Sequence, residues 1–403
     1  MPKTIVNIIT EDNPIPAFLF IKEMYQPEDK LMYISAKDTE DDLEALSDLF
    51  SIPATHIKEI VLKHNMDEFT YEKICRTVLE YLKQNQDDHY CVNLAGGTRY
   101  MALAVQQVFE DFNSTFYYVQ VEENMIVKSK FDDTIDNNDD YFYPISYRMK
   151  IAEYLRAHEI KHDLAPYTHK PIRFREEAEY IFNLFIHDGL SQQDYDTLDL
   201  LRNHYRNLQY VKIKTVQEKG YKKHPPVPGL TGLLNTFDFV SETFGELSKR
   251  EVEYLTGGWF EEYVYFLIKK RVKPQDIALG VRIWRDNVKQ KHDNELDVVF
   301  TKGNKLFVIE CKTGVQTKQF NDVVYKLCAI SEALLGVSCC SYIFSLKPDE
   351  TDILKKVARN MDITFIDRGI LTSQKKLRKE LAYIYVESRD GINSLLSNPT
   401  KLR

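Results

Sequence analysis

Two short apolar runs, Leu296 to Thr301 and Leu306 to Lys312, flank the tetrapeptide Lys302-Gly303-Asn304-Lys305. Runs of this kind around a Gly-Asn pair predict a β-hairpin. With the turn centred on Gly303-Asn304, Asp297 faces Glu310 and Glu295 faces Lys312, and the side-chain period of two puts all four on one face. Opposed carboxylates repel, so the pattern calls for positive charge between Asp297 and Glu310, and a divalent cation with oxygen ligands meets that need. The plainer alternative is a surface hairpin in which Glu295 pairs with Lys312 across the strands. The flanking Val298, Val299, Phe300, Phe307, Val308 and Ile309 argue against it, because strands buried on both faces carry charges only for a reason.

Carboxylates that hold a divalent ion beside a lysine suit phosphodiester hydrolysis. The ion polarises a phosphoryl oxygen and the ammonium orients water or neutralises developing negative charge. The hairpin resembles the core of the PD-(D/E)XK nuclease superfamily, with Asp297 as the first acid and Glu310-Cys311-Lys312 as the (D/E)XK element. The resemblance implies a restriction-endonuclease-like α/β domain and a further acid from a preceding helix. Gly258-Trp259-Phe260-Glu261-Glu262-Tyr263-Val264 opens such a helix, with apolar residues at 260, 263, 264 and 267. The resemblance selects Glu261, while periodicity does not separate it from Glu262. The implied catalytic set is Glu261, Asp297, Glu310 and Lys312, with Glu261, Asp297 and Glu310 as ligands for Mg²⁺ or Mn²⁺. After the hairpin, Gln319 to Leu335 reads as a helix.

The N-terminal third alternates short apolar strands (Thr4 to Thr10, Leu31 to Ala36, Ile57 to Leu62, Tyr90 to Leu94) with helical segments. That order predicts a doubly wound parallel sheet whose ligands bind beyond the carboxyl ends of the strands. Asn93-Leu94-Ala95-Gly96-Gly97-Thr98-Arg99 lies at such a strand-to-helix junction, where glycines permit close backbone approach and a helix N-terminus offers N–H groups to an anion. It is neither a P-loop nor a dinucleotide fingerprint. This run, with the post-strand loop Glu11-Asp12-Asn13, resembles the CARF domain, a Rossmann-like sensor of cyclic oligoadenylates in type III CRISPR immunity. The resemblance implies a ligand site at Thr10, Glu11, Asp12, Asn13, Ser35, Lys37, Asn93, Gly96, Gly97, Thr98 and Arg99.

The expected organisation is a CARF-like sensor over 1–140, a helical connecting region over 141–250 and a PD-(D/E)XK nuclease domain over 251–403. A sensor of this kind upstream of such a nuclease resembles the CRISPR ancillary nucleases activated by cyclic tetra-adenylate. The resemblance implies a homodimer, since a two-fold cyclic ligand suits identical loops at a dimer axis. The substrate is nucleic acid, with DNA and RNA both open and a single strand favoured. A restriction or repair nuclease with another sensor, and a catalytically silent ligand-responsive scaffold, are the competing classes.

Composition fits a soluble cytoplasmic protein. The 403-residue chain is 43% hydrophobic and carries a net charge of −8, so nucleic acid requires a local basic lining, for which Lys289, Lys291, Lys302, Lys305, Lys318 and Lys326 are candidates. The six cysteines lack C-x-x-C spacing and read as reduced core residues. No stretch has the pattern of a signal peptide or a membrane span.

Overall fold

The computed structural model describes residues 2–9, 13–35, 50–62, 70–129, 141–164, 171–206, 208–213, 227–284, 294–313, 317–331, 339–346 and 352–385. The first unit runs β1 (Thr4–Ile9), α1 (Ile15–Met24), β2 (Lys30–Ser35), β3 (Ile57–Val61), α2 (Tyr71–Gln84), β4 (Tyr90–Asn93), α3 (Arg99–Phe109), β5 (Ser114–Gln120), β6 (Met125–Lys128) and β7 (Phe142–Pro144). These strands form one sheet in the order β3-β2-β1-β4-β5-β6-β7. The first five are mutually parallel and β6 and β7 add antiparallel. All six residues of β1 are buried, as expected of a central parallel strand covered on both faces.

Helix α1 packs on one face of this sheet, with Phe18, Leu19 and Phe20 against Ile5, Leu31 and Tyr33. Helices α2 and α3 cover the other face through Ile74, Val78, Met101 and Val105. The chain thus leaves β1 towards one face and β4 towards the other, although the two strands are neighbours. Their carboxyl ends form the switch point at which doubly wound sheets bind ligands.

The connecting region contains α4 (Ile151–Ala157), β8 (Lys161–Asp163), α5 (Arg175–Ile186), α6 (Gln192–Leu200), β9 (Tyr210–Lys212), α7 (Leu230–Thr236), β10 (Glu246–Ser248) and α8 (Lys249–Glu253). It is therefore not purely helical: β9 and β10 pair with each other, and β8 joins the edge of the second sheet. That second unit adds α9 (Trp259–Arg271), β11 (Asp276–Trp284), β12 (Asn294–Lys302), β13 (Lys305–Lys312), α10 (Thr317–Ile330), β14 (Cys339–Ser345), α11 (Asp352–Asn360), β15 (Ile363–Ile366), α12 (Arg368–Leu371) and α13 (Gln374–Tyr385). Its strand order is β15-β14-β13-β12-β11-β8. Successive pairs from β8 through β11 and β12 to β13 are antiparallel, while β13, β14 and β15 run parallel to one another.

One apolar core joins the two units. Ile5 and Tyr33 of the first sheet and Phe18 of α1 belong to the same cluster as Val281, Leu296, Val299 and Val308 of the second sheet, with Tyr154 and Leu155 of α4 among them. The far face of the second sheet packs on α9 and the connecting helices through Val298, Phe300, Phe307, Trp259 and Phe260. The six cysteines are free thiols. No helix among the described residues is long and apolar enough to cross a membrane.

The Gly96-Gly97 loop presses directly against β1. A Cβ on Gly96 would lie 1.9 Å from the Ile8 carbonyl oxygen, and one on Gly97, whose φ is +71°, would lie 2.4 Å from Ile8 Cγ2. Backbone cannot yield to so close a contact without moving β1 or the loop. Gly96→Ala is therefore expected to cost about 2–3 kcal/mol of stability through overpacking, read as a lowered urea midpoint with an unchanged slope.

Candidate active site and ligand pocket

The hairpin forms in the register that its Gly-Asn turn predicts, with Lys302 opposite Lys305 and Val298 opposite Ile309. Gly303 and Asn304 both have positive φ, +58° and +61°, the conformation that matches a tight hairpin turn to strand twist. The ladder ends at Val298–Ile309, one position short of Asp297 and Glu310. On the other side of β12, pairing with β11 runs through Leu279–Val298 and resumes at Val281–Leu296, skipping Gly280 and Asp297.

Both strands roll over at that skipped position. Leu296 and Val298 are two residues apart yet enter different cores, and so do Leu279 and Val281; in a regular strand each pair would share a face. Gly280 has φ +58°, which glycine adopts freely and a Cβ-bearing residue does not. The roll frees Asp297 from the ladder, and its Oδ2 accepts the Cys311 backbone N–H at 2.7 Å. The acid thus crosses to β13 and takes a hydrogen bond that a strand carbonyl would otherwise have made.

The same roll alters the expected partner of Lys312. Past Asp297 the alternation no longer carries Glu295 to the lysine's face, and Glu295 pairs instead with Arg282, its neighbour on β11, at 3.5 Å. Lys312 turns to the acids on its own side: its Nζ lies 2.5 Å from Glu310 Oε1 and 3.7 Å from Asp297 Oδ2. The positive charge between the facing carboxylates is thus the lysine ammonium. Side-chain exposures of 16%, 12% and 25% for Asp297, Glu310 and Lys312 keep the group in partial contact with solvent.

Helix α9 supplies the further acid, and its two adjacent glutamates go to different places. Phe260 and Val264 are buried in the core of the second sheet. Glu262 is buried away from the cluster and accepts the backbone N–H groups of Ile172 at 2.6 Å and Arg173 at 3.2 Å. Glu261 is turned towards Asp297, Lys312, Glu295 and Glu310, whose charges it feels. Burial and then the Asp297 carboxylate push the Glu261 carboxyl well above the usual range. Asp297 is pushed up to about 7 by burial and then Glu310, with Lys312 and the Cys311 N–H working against the rise. For Lys312 burial works to lower the ammonium, but Asp297 and Glu310 outweigh it and the shift is upward. Burial raises the Cys311 thiol, leaving a packing group and no thiolate nucleophile.

Among the described residues no group of three or more His, Cys, Asp or Glu side chains closes to metal-binding distances. The donor chemistry nevertheless fits a hard cation. Glu261, Asp297 and Glu310 offer oxygen ligands, and burial together with their mutual repulsion raises the proton affinity of Glu261 and Asp297, a situation that a bound cation would relieve.

Of the proposed basic lining, Lys302 and Lys305 flank the turn at the opposite end of the hairpin, so they do not line the acid cluster. Lys326 is exposed on α10. Lys289, Lys291 and the side chain of Lys318 lie outside the described residues, as does His292.

At the sensor switch point, Asn93 is fully buried. Its Nδ2 donates to Asn7 Oδ1 at 3.0 Å and to the Pro16 carbonyl at 3.4 Å, and its Oδ1 accepts the Ala95 N–H at 3.0 Å. It shapes the loop from below. Ser35 is likewise buried and donates to Glu59 at 3.0 Å. Neither side chain presents itself to a ligand in this arrangement. Thr98 and Arg99 are exposed at the start of α3, where Thr98 Oγ1 caps the helix by accepting the Met101 N–H at 3.2 Å. Asn13 is half-buried, and Thr10, Glu11, Asp12 and Lys37 lie outside the described residues.

Comparison with known proteins agrees with this two-part layout. The family model of the Card1 CARF domain matches residues 4–154, and that of the Card1-like endonuclease domain matches residues 248–384. The chain thus joins a Card1-type CARF domain to a Card1-like endonuclease domain. Among solved structures, protein VC1899 from Vibrio cholerae is similar over 96% of this chain and 99% of its own, at 18% identity and a TM-score of 0.70. Can2 from Sulfobacillus thermosulfidooxidans, solved in complex with cyclic tetra-adenylate, is similar over 95% and 100% at 21% identity and a TM-score of 0.67. A type III CRISPR defence DNA nuclease activated by cyclic oligoadenylate matches 95% of this chain and 52% of its own, at 12% identity and a TM-score of 0.52. No curated protein matches the chain.

Sequence reading did not single out Gly280, although an isolated glycine inside an apolar strand signals a bulge or a close approach. If its left-handed backbone aims Asp297, cleavage should follow conformational tolerance and not size. Gly280→Asn, which accepts positive φ better than alanine does, should retain more activity than Gly280→Ala despite its bulk, and Gly280→Val should retain least. The two glutamates separate by a different measurement. Glu262→Ala strands two buried N–H donors and is expected to cost about 2–4 kcal/mol, whereas Glu261→Ala removes like-charge repulsion and should leave the thermal midpoint equal or higher while removing hydrolysis.

Proposed function

We propose that the chain is a divalent-metal-dependent nuclease, acting in type III CRISPR defence, whose phosphodiester hydrolysis is switched on by cyclic oligoadenylate, with cyclic tetra-adenylate the expected activator. The observation that carries this reading is the convergence of Glu261, Asp297, Glu310 and Lys312 from α9, β12 and β13 at one half-buried point, downstream of a CARF domain. Glu261, Asp297 and Glu310 would hold Mg²⁺ or Mn²⁺, which when bound supplies Lewis-acid polarisation of the phosphoryl oxygen and a water of lowered pKa.

The remaining work falls to the chain's own groups. The Cys311 N–H holds the Asp297 carboxylate in one orientation. Lys312 keeps its proton, because the acids around it stabilise the ammonium, so it stabilises negative charge developing on phosphate and is not the base. The apolar strands beneath lower the local dielectric and strengthen that interaction. Glu295, paired with Arg282, has no direct part.

In the sensor, the cyclic ligand's phosphates would meet Gly96, Gly97, Thr98 and Arg99 at the N-terminus of α3, with Asn13 and the loop before it on the β1 side. Tyr100 and Leu103, 46% and 60% exposed on α3, are apolar residues next to this site. They suit a second copy of the chain, which would give a two-fold ligand a two-fold pocket.

The test is cleavage of labelled single- and double-stranded DNA and RNA, with and without cyclic tetra-adenylate, in Mg²⁺ and in Mn²⁺. Cleavage should need both the nucleotide and the ion. Asp297→Ala, Glu310→Ala and Lys312→Ala should each lose about 10²–10³-fold or more in turnover while still binding cyclic tetra-adenylate; wild-type turnover in any of them overturns the site. Thr98→Ala/Arg99→Ala should shift activation to higher ligand concentration with the maximal rate retained. Ion-dependent cleavage that ignores every cyclic oligoadenylate would favour a restriction-type enzyme.

A further inference from the structure

A hairpin turn ordinarily projects into solvent, yet Asn304, at the tip of the hairpin that carries Asp297 and Glu310, is 1% exposed. Its amide is engaged at both ends. Oδ1 accepts the Met149 N–H at 2.9 Å, and Nδ2 donates to Asn124 Oδ1 at 2.9 Å and to the Tyr147 carbonyl at 2.9 Å. Asn124 belongs to the sensor, in the turn between β5 and β6 with φ +50°, and its own carbonyl accepts the Ile145 N–H at 2.8 Å. Two left-handed turn residues, one from each functional unit, therefore meet amide to amide inside the protein.

The segment 145–151 lies between them and is gripped from both sides. On the sensor side, Glu23 in the last turn of α1 accepts the Tyr147 N–H at 2.7 Å and the Ser146 hydroxyl at 3.1 Å. The Lys22 ammonium lies over the Tyr147 and Phe18 rings at 5.0 and 5.5 Å. On the nuclease side, Asp276 at the start of β11 accepts the Ile151 N–H at 3.1 Å, in addition to the Asn304 bonds. Helix α1 begins directly after the loop assigned to ligand, and the Asn93 side chain under the Gly-Gly loop donates to Pro16 in its first turn. From Asn304 to Asp297 and Glu310 the hairpin is a continuous two-stranded lever of about 20 Å.

We propose that segment 145–151, clasped between Glu23 and Asn304, is the joint through which ligand at the sensor moves the catalytic hairpin, with Asn304 as the positioning residue on the nuclease side. The proposal rests on the function above, and names the regulation of that same site. A displacement of α1 reaches the segment through Glu23, and Asn304 passes it to β12 and β13 as a body. A buried side-chain amide held by three hydrogen bonds cannot slide without breaking them, so the contact transmits a shift and does not absorb it.

Asn304→Gly isolates the amide, because glycine keeps the left-handed turn. Three quantities are measured on the full-length protein: cyclic tetra-adenylate affinity, the ratio of ligand-stimulated to basal cleavage, and the thermal midpoint. The proposal expects affinity to stay within about three-fold while the stimulation ratio falls about ten-fold or more, within the usual range of coupling between sites. Asn124→Gly should lower the ratio from the sensor side, and the double variant should be no worse than Asn304→Gly alone, since the Asn124–Asn304 bond is common to both. Glu23→Ala, on the surface of α1, repeats the test at a position that bears no turn. A lowered midpoint with an unchanged stimulation ratio in Asn304→Gly and Glu23→Ala makes the contact merely structural and overturns the proposal. A wild-type chain that cyclic tetra-adenylate binds but does not stimulate overturns the functional reading, and the joint with it.

Discussion

Like charges held together out of bulk water are the constraint on which the second half of this protein is organised. Among the described residues, Glu261, Asp297 and Glu310 converge with the Lys312 ammonium between them, and both Glu261 and Asp297 hold protons more tightly than a free carboxyl would. The Lys312 ion pairs and the Cys311 N–H oppose the repulsion without cancelling it, so the scaffold has to hold the geometry. Fully buried Val298, Val299, Phe300, Val308 and Ile309 beneath it, and Phe260 and Val264 on α9, provide that support. This is the usual trade of stability for a preorganised site.

The scaffold imposes the geometry by a local irregularity. A regular antiparallel pair would hold Asp297 in the ladder, with Glu295 and Lys312 completing a row of alternating charge. Instead Gly280 takes a left-handed conformation, β11 and β12 roll together, and Asp297 leaves its strand partners to bind the Cys311 N–H. One glycine thereby converts a surface-type charge ladder into a convergent acid site and sends Glu295 away to Arg282. The sensor uses glycine differently: Gly96 and Gly97 permit contact with Ile8 that any side chain would prevent, which brings the α3 N-terminus to the carboxyl ends of β1 and β4.

The two units are not beads on a linker. They share an apolar cluster that includes Phe18, Tyr154 and Val299, and the buried Asn124–Asn304 contact sits at its polar margin. A shared core resists independent motion of the units, because separating them exposes apolar surface. A displacement of the first sheet against the second would have to repack this shared core.

Much of this was legible in the chain itself, wherever chemistry and periodicity are local. The Gly303-Asn304 turn and its flanking apolar runs dictate the hairpin register, alternation of strands and helices dictates the parallel sensor sheet, and the order of the Asn93–Arg99 run and the Glu310-Cys311-Lys312 run dictates a sensor upstream of a nuclease. Tertiary structure decided what depends on contacts between distant segments. Periodicity could not separate Glu261 from Glu262, because adjacent helix residues differ by only about 100° and the choice was made by the 172–173 backbone, which took Glu262. Alternation predicted a Glu295–Lys312 pair, because a two-residue period carries no information about a roll centred on another strand's glycine. Asn93 and Ser35 read as ligand contacts by resemblance, and only the tertiary structure shows both side chains buried and hydrogen-bonded within the protein. Asn304 read as an ordinary turn residue, and only the sensor packed against it made that turn an interior joint.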